Sequence, residues 1–262
     1  MKFTKMQGLG NDYLYVYSKS EPNDPGELSK KLSDRHFGAG SDGMIWILPS
    51  DVADFKMRIF NADGSEAKMC GNGIRCVGKY VYDKGFTTKT TLKIETLSGI
   101  KTLGLEVNNK KVLNVSVNMG TVQVYSPFSI ETSQKTLEVV PVSVGNPHAV
   151  IFTKNAETVP VEALGSEIEH NKLFSGGVNV EFVEIIAKNK LRMRVWERGS
   201  GITLACGTGA CASVAAAVNA GFCSENCVIE VVLDGGILKI ELLPDKSVIM
   251  TGPAEFVYEG EC

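Results

Sequence analysis

Met69-Cys70-Gly71-Asn72-Gly73-Ile74-Arg75-Cys76 has a second copy further along the chain, Ala205-Cys206-Gly207-Thr208-Gly209, with the two leading cysteines 136 residues apart. Moving outward from the two cysteines at that offset, other blocks coincide. Gly40-Ser41-Asp42-Gly43 falls on Gly176-Gly177-Val178-Asn179, and Met57-Arg58-Ile59-Phe60 on Met193-Arg194-Val195-Trp196. Gly85-Phe86 falls on Gly221-Phe222, and Leu97-Ser98-Gly99 on Leu233-Asp234-Gly235. Near the start the offset is one residue shorter, so that Gly10-Asn11 falls on Gly145-Asn146. A period this long is not that of a solenoid. The chain reads as two copies of one domain, expected over residues 1–118 and 119–251, with a tail at 252–262 that has no repeat counterpart and is expected to return to the first copy.

Each copy carries the same order of local signals. Runs rich in β-branched and aromatic residues, bounded by Gly, Pro, Asn or Asp, predict strands at Leu14 to Tyr17, Met44 to Leu48 and Phe55 to Phe60, and again at Ala149 to Phe152, Val180 to Ile185 and Leu191 to Trp196. The Gly-rich turn at the cysteine follows, and then a helix, predicted over Gly73 to Lys84 and Gly209 to Ala220, each stopped by a glycine. Further strands are predicted at Thr91 to Thr96, Gly99 to Val107 and Val112 to Val117, and at Val228 to Leu233, Ile237 to Leu243 and Val248 to Met250. Shorter helices are expected at Gly26 to Phe37 and Val161 to Leu173. The fold class is α+β: two pseudo-symmetric domains, each a mostly antiparallel, barrel-like sheet around a central helix, with the site expected in the cleft between them.

The bulk properties narrow the function. Of 262 residues, 44% are hydrophobic and 22% charged, as in a globular protein with a substantial core. A net charge of −3 gives no electrostatic footprint for nucleic acid. No apolar run reaches membrane-spanning length and no signal-peptide pattern opens the chain, so a cytoplasmic protein is expected. The cysteines at 70, 76, 206, 211, 223, 227 and 262 are odd in number and lack a C-x2-C pair, which argues against a disulfide framework and against a structural zinc site. Cys76, Cys211, Cys223, Cys227 and Cys262 read as ordinary small hydrophobes.

Cys70 and Cys206 read differently. A cysteine before Gly-x-Gly at a helix start meets unpaired backbone N–H groups and the positive end of the helix dipole, an environment expected to lower the thiol pKa. The same N–H groups bind a carboxylate, and glycine lets a substrate come close. Two such places suit inversion of a stereocentre at Cα, which needs a base on one face and an acid on the other. Matched polar residues accompany them. Asn61 and Glu197 each lie nine residues before their cysteine, Asn11 and Asn146 each follow a glycine, and Asn179 separates two strand-prone runs. Singly these are turn formers; together they read as a pocket for an amino-acid headgroup. His148 is equally well read as a structural histidine or as part of that pocket, and Arg198 as a surface cation or as a carboxylate clamp.

These residues resemble the diaminopimelate epimerase family over essentially the whole chain. The resemblance is carried by Gly8-Leu9-Gly10-Asn11-Asp12, Arg35-His36-Phe37-Gly38, Phe60-Asn61-Ala62-Asp63-Gly64-Ser65-Glu66, the run Met69 to Cys76, Gly145-Asn146-Pro147-His148, Val178-Asn179-Val180-Glu181-Phe182, and Trp196-Glu197-Arg198-Gly199 with Ala205 to Gly209. It implies an isomerase of lysine biosynthesis that interconverts LL- and meso-diaminopimelate without pyridoxal phosphate, commonly as a homodimer. It also implies roles. Cys70 and Cys206 are the acid/base pair; His148 and Glu197 tune them; Asn11, Asn61, Asn146, Asn179, Glu197 and Arg198 bind substrate; Gly71, Asn72, Gly207 and Thr208 hold the α-carboxylate through backbone N–H groups. Some members carry glutamine where this chain has Gly43, which here removes one polar contact. The alternatives are a histidine, proline or hydroxyproline racemase of the same architecture, and a non-catalytic amino-acid-binding protein. Arg198 with three asparagines favours a substrate with a second carboxylate-bearing end, and the retention of both cysteines favours catalysis.

Overall fold

The computed structural model describes residues 1–262. The chain divides into two compact units, Met1–Val117 with Gly252–Cys262, and Asn118–Thr251. In chain order the first unit contains β1 (Lys2–Gly8), β2 (Asn11–Tyr17), α1 (Pro25–Ser33), β3 (Gly43–Leu48), β4 (Phe55–Asn61), β5 (Glu66–Ala67), α2 (Gly71–Asp83), β6 (Thr91–Thr96), β7 (Gly99–Asn108) and most of β8 (Lys111–Thr121). The second contains β9 (Gln123–Val124), β10 (Phe128–Glu131), β11 (Thr136–Ser143), β12 (Pro147–Phe152), α3 (Val161–Glu169), β13 (Asn179–Ala187), β14 (Lys190–Glu197), β15 (Gly201–Ile202), α4 (Gly207–Asn219), β16 (Val228–Leu233), β17 (Gly236–Leu242) and most of β18 (Ser247–Pro253). The last strand, β19 (Glu255–Glu261), pairs with β1 and so belongs to the first unit.

In the first unit hydrogen bonding runs β19-β1-β2-β3-β4-β6-β7-β8, antiparallel except for β2/β3 and β4/β6. In the second it runs β10-β11-β12-β13-β14-β16-β17-β18, antiparallel except for β12/β13 and β14/β16. Parallel neighbours need a crossover, and each one contains a helix. α1 and α3 bridge the first parallel pair of each unit, and α2 and α4 the second. The two kinds of crossover pack differently. Leu32 of α1 joins Phe3, Leu14, Val16, Met44, Trp46, Leu48 and Phe60 in one apolar layer. Leu164 and Ile168 of α3 do the same with Val139, Ala149, Ile151, Val180 and Phe182.

α2 and α4 are instead central. α2 is buried continuously from Asn72 to Val81, and α4 from Gly209 to Ala217. A helix covered on every side needs small or apolar residues all round, which the alanines of α4 supply. Close approach also dictates glycines. A Cβ on Gly73 would lie 2.6 Å from Ile45 Cδ1 of β3, and one on Gly209 would lie 2.7 Å from Glu181 Oε1 of β13. Ile45 and Glu181 are themselves related by the repeat offset. β3 is buried on both faces, which is why its run GMIWIL is apolar throughout rather than alternating.

The structure differs from the sequence expectation at element ends and in strands that were not expected, β1, β10, β11 and β19 among them. The central helices begin two residues earlier, at Gly71 and Gly207. α1 stops at Ser33 rather than Phe37, because the Asp34 carboxylate accepts from the N–H groups of His36 and Phe37, both at 2.7 Å. α3 stops at Glu169 rather than Leu173.

Candidate active site

In the first unit Cys70 is the N-cap of α2, with extended backbone (φ −137°, ψ 118°), and its Sγ accepts from Gly73 N–H at 3.3 Å. Its thiol faces Asn11 Oδ1 at 3.3 Å. Asn11 opens β2, and its orientation is fixed because its amide N–H donates to Asp42 at 2.8 Å, leaving the oxygen toward the sulfur. Asp42 is held in turn by Asp12 N–H at 3.1 Å and by Arg35, which reaches both Asp12 and Asp42 at 2.9 Å. The first turn of α2 is braced by fully buried Arg75, which donates to Gly71 O at 3.3 Å and to Asn72 Oδ1 at 3.0 Å.

In the second unit Cys206 repeats the cap. It is the extended N-cap of α4 (φ −113°, ψ 112°), and its Sγ accepts from Gly209 N–H at 3.3 Å. Thr208 Oγ1 lies 3.6 Å from the sulfur and accepts from Asn146 Nδ2 at 3.3 Å. The other end of the Asn146 amide meets His148 Nε2 at 3.1 Å, and His148 Nδ1 meets Glu181 Oε1 at 2.7 Å. His148 and Glu181 are both buried. Glu197, at the end of β14, accepts from Thr203 and from the Cys206 thiol.

The electrostatics correct one expectation. Cys206 is not activated by its helix end. Burial first, then the negative charges of Glu197 and Glu181, push its thiol well above the ordinary cysteine range, while Thr208 and Gly209 N–H oppose this. Burial likewise raises Glu197 above the usual carboxylate value, with Glu181 adding to the rise. A dipole acting through one turn is outweighed by two close carboxylates in a desolvated site. The surroundings of Cys206 favour its thiol form.

Asn11, Gly71 and Asn72 gather at Cys70, and Asn146, His148, Glu197, Gly207 and Thr208 at Cys206. Asn61 and Asn179 have local bonds instead. Asn61 donates to Ser65 Oγ at 3.1 Å across the turn after β4. Asn179 donates to Pro147 O at 3.1 Å and accepts from Arg198 N–H at 3.0 Å, so it fixes the backbone that carries Arg198. The Arg198 side chain is exposed and donates to Gly176 O at 3.2 Å. Gly43 has no room for the polar side chain weighed at that position, since a Cβ would lie 2.2 Å from Phe60 O on this backbone.

Sequence reasoning missed Glu181 and Tyr13 near the sulfurs, and Asp42, which holds Asn11. Glu181 was signalled by being the one charge inside the run Val180 to Val183, and Tyr13 by matching His148 when Asn11 is laid on Asn146.

Comparison with known proteins agrees with this architecture. The sequence model of the family described as diaminopimelate epimerase matches residues 3–125 and 140–257. The diaminopimelate epimerase of Acetivibrio thermocellus is 50% identical over 276 residues, covering 100% of this chain and 98% of the relative. That of Methanococcus maripaludis is 51% identical over 276 residues, covering 100% and 99%. Among solved structures, a phenazine biosynthesis protein of the PhzF family from Bacillus anthracis superposes with a TM-score of 0.79 at 17% identity, over 100% of this chain and 98% of the other, a likeness of fold. With a family model spanning most of its length and relatives at half identity end to end, this chain belongs to the diaminopimelate epimerase family.

Proposed function

We propose that the chain interconverts LL- and meso-2,6-diaminopimelate, a step of lysine biosynthesis, by two-base proton transfer at Cα with Cys70 and Cys206 as the acid/base pair and without pyridoxal phosphate. Family membership makes it an isomerase, an amino-acid epimerase with a small-molecule substrate. The observation that carries the two-base reading is the duplicated cap: in each unit a cysteine ends an extended segment, accepts from the N–H three residues on at 3.3 Å, and opens a buried central helix.

In this mechanism one sulfur takes the α-proton while the other delivers a proton to the opposite face. In the direction that uses the Cys206 thiol as proton donor, Cys70 is the acceptor; the reverse direction starts with the two roles exchanged. The thiol of Cys206 donates to Glu197, and His148 holds one oxygen of Glu181 at 2.7 Å. The developing charge on the substrate's α-carboxylate is met by backbone N–H groups of Gly71, Asn72, Gly207 and Thr208 at the helix starts. Asn11 and Asn146 orient groups beside each sulfur. Asn61, Asn179 and Glu197 complete the substrate-binding set, and Arg198 clamps the distal carboxylate. The family likeness is also what supports a cytoplasmic homodimer, which light scattering on the purified protein tests.

Cys70→Ala and Cys206→Ala are each expected to abolish epimerisation with unchanged circular dichroism. Robust turnover by either variant overturns the two-base mechanism. Turnover of proline or histidine in place of diaminopimelate overturns the substrate assignment.

A further inference from the structure

Tyr13 stands in the first unit where His148 stands in the second. Both lie two residues after the asparagine of their cysteine site. In the sheets, Tyr13 is opposite Met6 of β1 and His148 opposite Val142 of β11, and Met6 and Val142 are themselves 136 residues apart. Like His148, Tyr13 is buried, at 5% exposure. Asn11 and Cys70 both lie near enough to its hydroxyl to bear on it, and Asn11 Oδ1 itself meets the Cys70 sulfur at 3.3 Å. The structure makes room for this ring. A Cβ on Gly43 would lie 2.9 Å from Tyr13 Cε1, so glycine at 43 and tyrosine at 13 share one space.

We propose that Tyr13 is a positioning residue for Cys70, its hydroxyl donating to the sulfur and stabilising the thiolate; this rests on the reading of Cys70 as an acid/base group. Asn11 alone cannot do this. Its amide nitrogen is engaged by Asp42, so it offers the sulfur an oxygen, which accepts from a thiol and repels a thiolate. A hydroxyl donor completes the set. Asn11 Nδ2 keeps a second hydrogen beside its bond to Asp42; given to Tyr13 Oη, it turns the Tyr13 hydroxyl hydrogen toward Sγ. Tyr13 itself stays protonated, because burial and the nearby Cys70 and Asp42 charges raise its hydroxyl well above the usual tyrosine value. The role is donation, not proton release.

The surrounding charges are otherwise balanced. From β2 and the segment before β3, Asp12 and Asp42 are paired with Arg35, and Asp12 also with Lys5 of β1. From α2 come the buried Arg75 and Cys76, and from β2 the buried Tyr15. Burial pushes the Cys76 thiol up to about 11, and Tyr15 is raised well above its usual value, so neither carries charge near neutrality.

The test measures thiolate formation, not turnover. The rate of iodoacetamide alkylation of Cys70, followed by peptide mapping against pH, gives the pH at which the sulfur is half ionised. In Tyr13→Phe that midpoint is expected to rise by about one unit, so that Cys70 reacts roughly tenfold more slowly below it, while the Cys206 profile is unmoved. The value of kcat should fall more than KM changes. An unchanged Cys70 midpoint, or an equal rise at Cys206, overturns the proposal. Should the phenylalanine variant fail to fold, 3-fluorotyrosine installed at position 13 decides the matter. Its more acidic hydroxyl donates more strongly and should lower the Cys70 midpoint; no movement overturns the proposal. Because alkylation needs no catalysis, a failure here is distinct from a failure of the acid/base reading, which an active Cys70→Ala variant would reveal.

Discussion

Cys206 sits in a site whose charges resist its ionisation, and that has a measurable consequence. Its thiolate should form only above the ordinary cysteine range, so alkylation of Cys206 at pH 8 should lag behind a simple thiol. Glu197→Gln and Glu181→Gln each remove a negative charge, so each should move the Cys206 profile to lower pH; an unmoved profile would reject the carboxylates as the cause. Stability has its own sign. The folded state raises the Glu197 value, so the folded chain holds that proton to higher pH than the unfolded one. That contribution is complete below the ordinary carboxylate range and is lost as pH rises through the raised folded value. Glu197→Gln should therefore flatten the fall of Tm over that window. Arg198 is exposed on backbone held by Asn179, and its proposed role as the clamp of the distal carboxylate has a kinetic consequence. Arg198→Ala should raise KM roughly tenfold to a hundredfold with a smaller effect on kcat, since it removes a charged hydrogen bond to the substrate's far end. Single residues were legible in the sequence where they were repeated and flanked by glycine, as Cys70 and Cys206 are. Glu181 and Tyr13 were not, because inside a strand-like run each reads as one more strand residue. What defines them is a neighbour on another element: His148, bonded to Glu181, and Gly43, whose lack of a side chain makes room for the Tyr13 ring.

At the level of elements, the start of each central helix depends on a glycine with no space beside it. The two are not equivalent. An added Cβ at Gly73 meets the end of the Ile45 side chain, which can rotate away. One at Gly209 meets Glu181 Oε1, fixed by its bond to His148, and also Cys206 Cβ and Sγ at 3.2 Å. Gly209→Ala should therefore cost about 1–3 kcal/mol and displace the Cys206 cap, whereas Gly73→Ala should cost less. Denaturant titration of the two variants measures the difference, and an equal or reversed order would contradict the packing described. The same level explains which strands escaped sequence reading. The central strands are apolar runs between turn residues and were visible. β11 contains Pro141, which argues against a strand, yet it pairs with β12 through both neighbours of that proline. β1 and β19 carry Lys or Glu on their outer positions, and β19 is largely exposed, as suits an edge strand. Nothing local in EFVYEGE names β1, at the far end of the chain, as its partner.

Taken whole, the chain is one scaffold used twice with unlike charges. Ile45 matches Glu181, Asn61 matches Glu197, and Tyr13 matches His148. The repeat supplies the same cysteine cap in both units, and these substitutions put a tyrosine on the side of Cys70 and two carboxylates and an imidazole on the side of Cys206. A racemising site needs that combination: equivalent reach, but one sulfur protonated while the other accepts. Each thiol carries one proton and exchanges it with water, which gives the two-base reading a direct signature. In deuterium oxide, LL-diaminopimelate should yield meso product carrying solvent deuterium at the inverted carbon from the first turnovers, because the delivered proton comes from the second sulfur. The remaining LL substrate should stay unlabelled at early times, because the proton removed sits on the first sulfur and is returned to the same face before exchange or lost to water after product leaves. Mass spectrometry of both isomers at low conversion reads this. Product that keeps the substrate's own hydrogen would indicate one group moving a single proton from face to face. Substrate labelled as fast as product would indicate a base exchanging with water within the complex. Either result would leave the duplicated cysteine caps without the division of labour that their unequal surroundings imply.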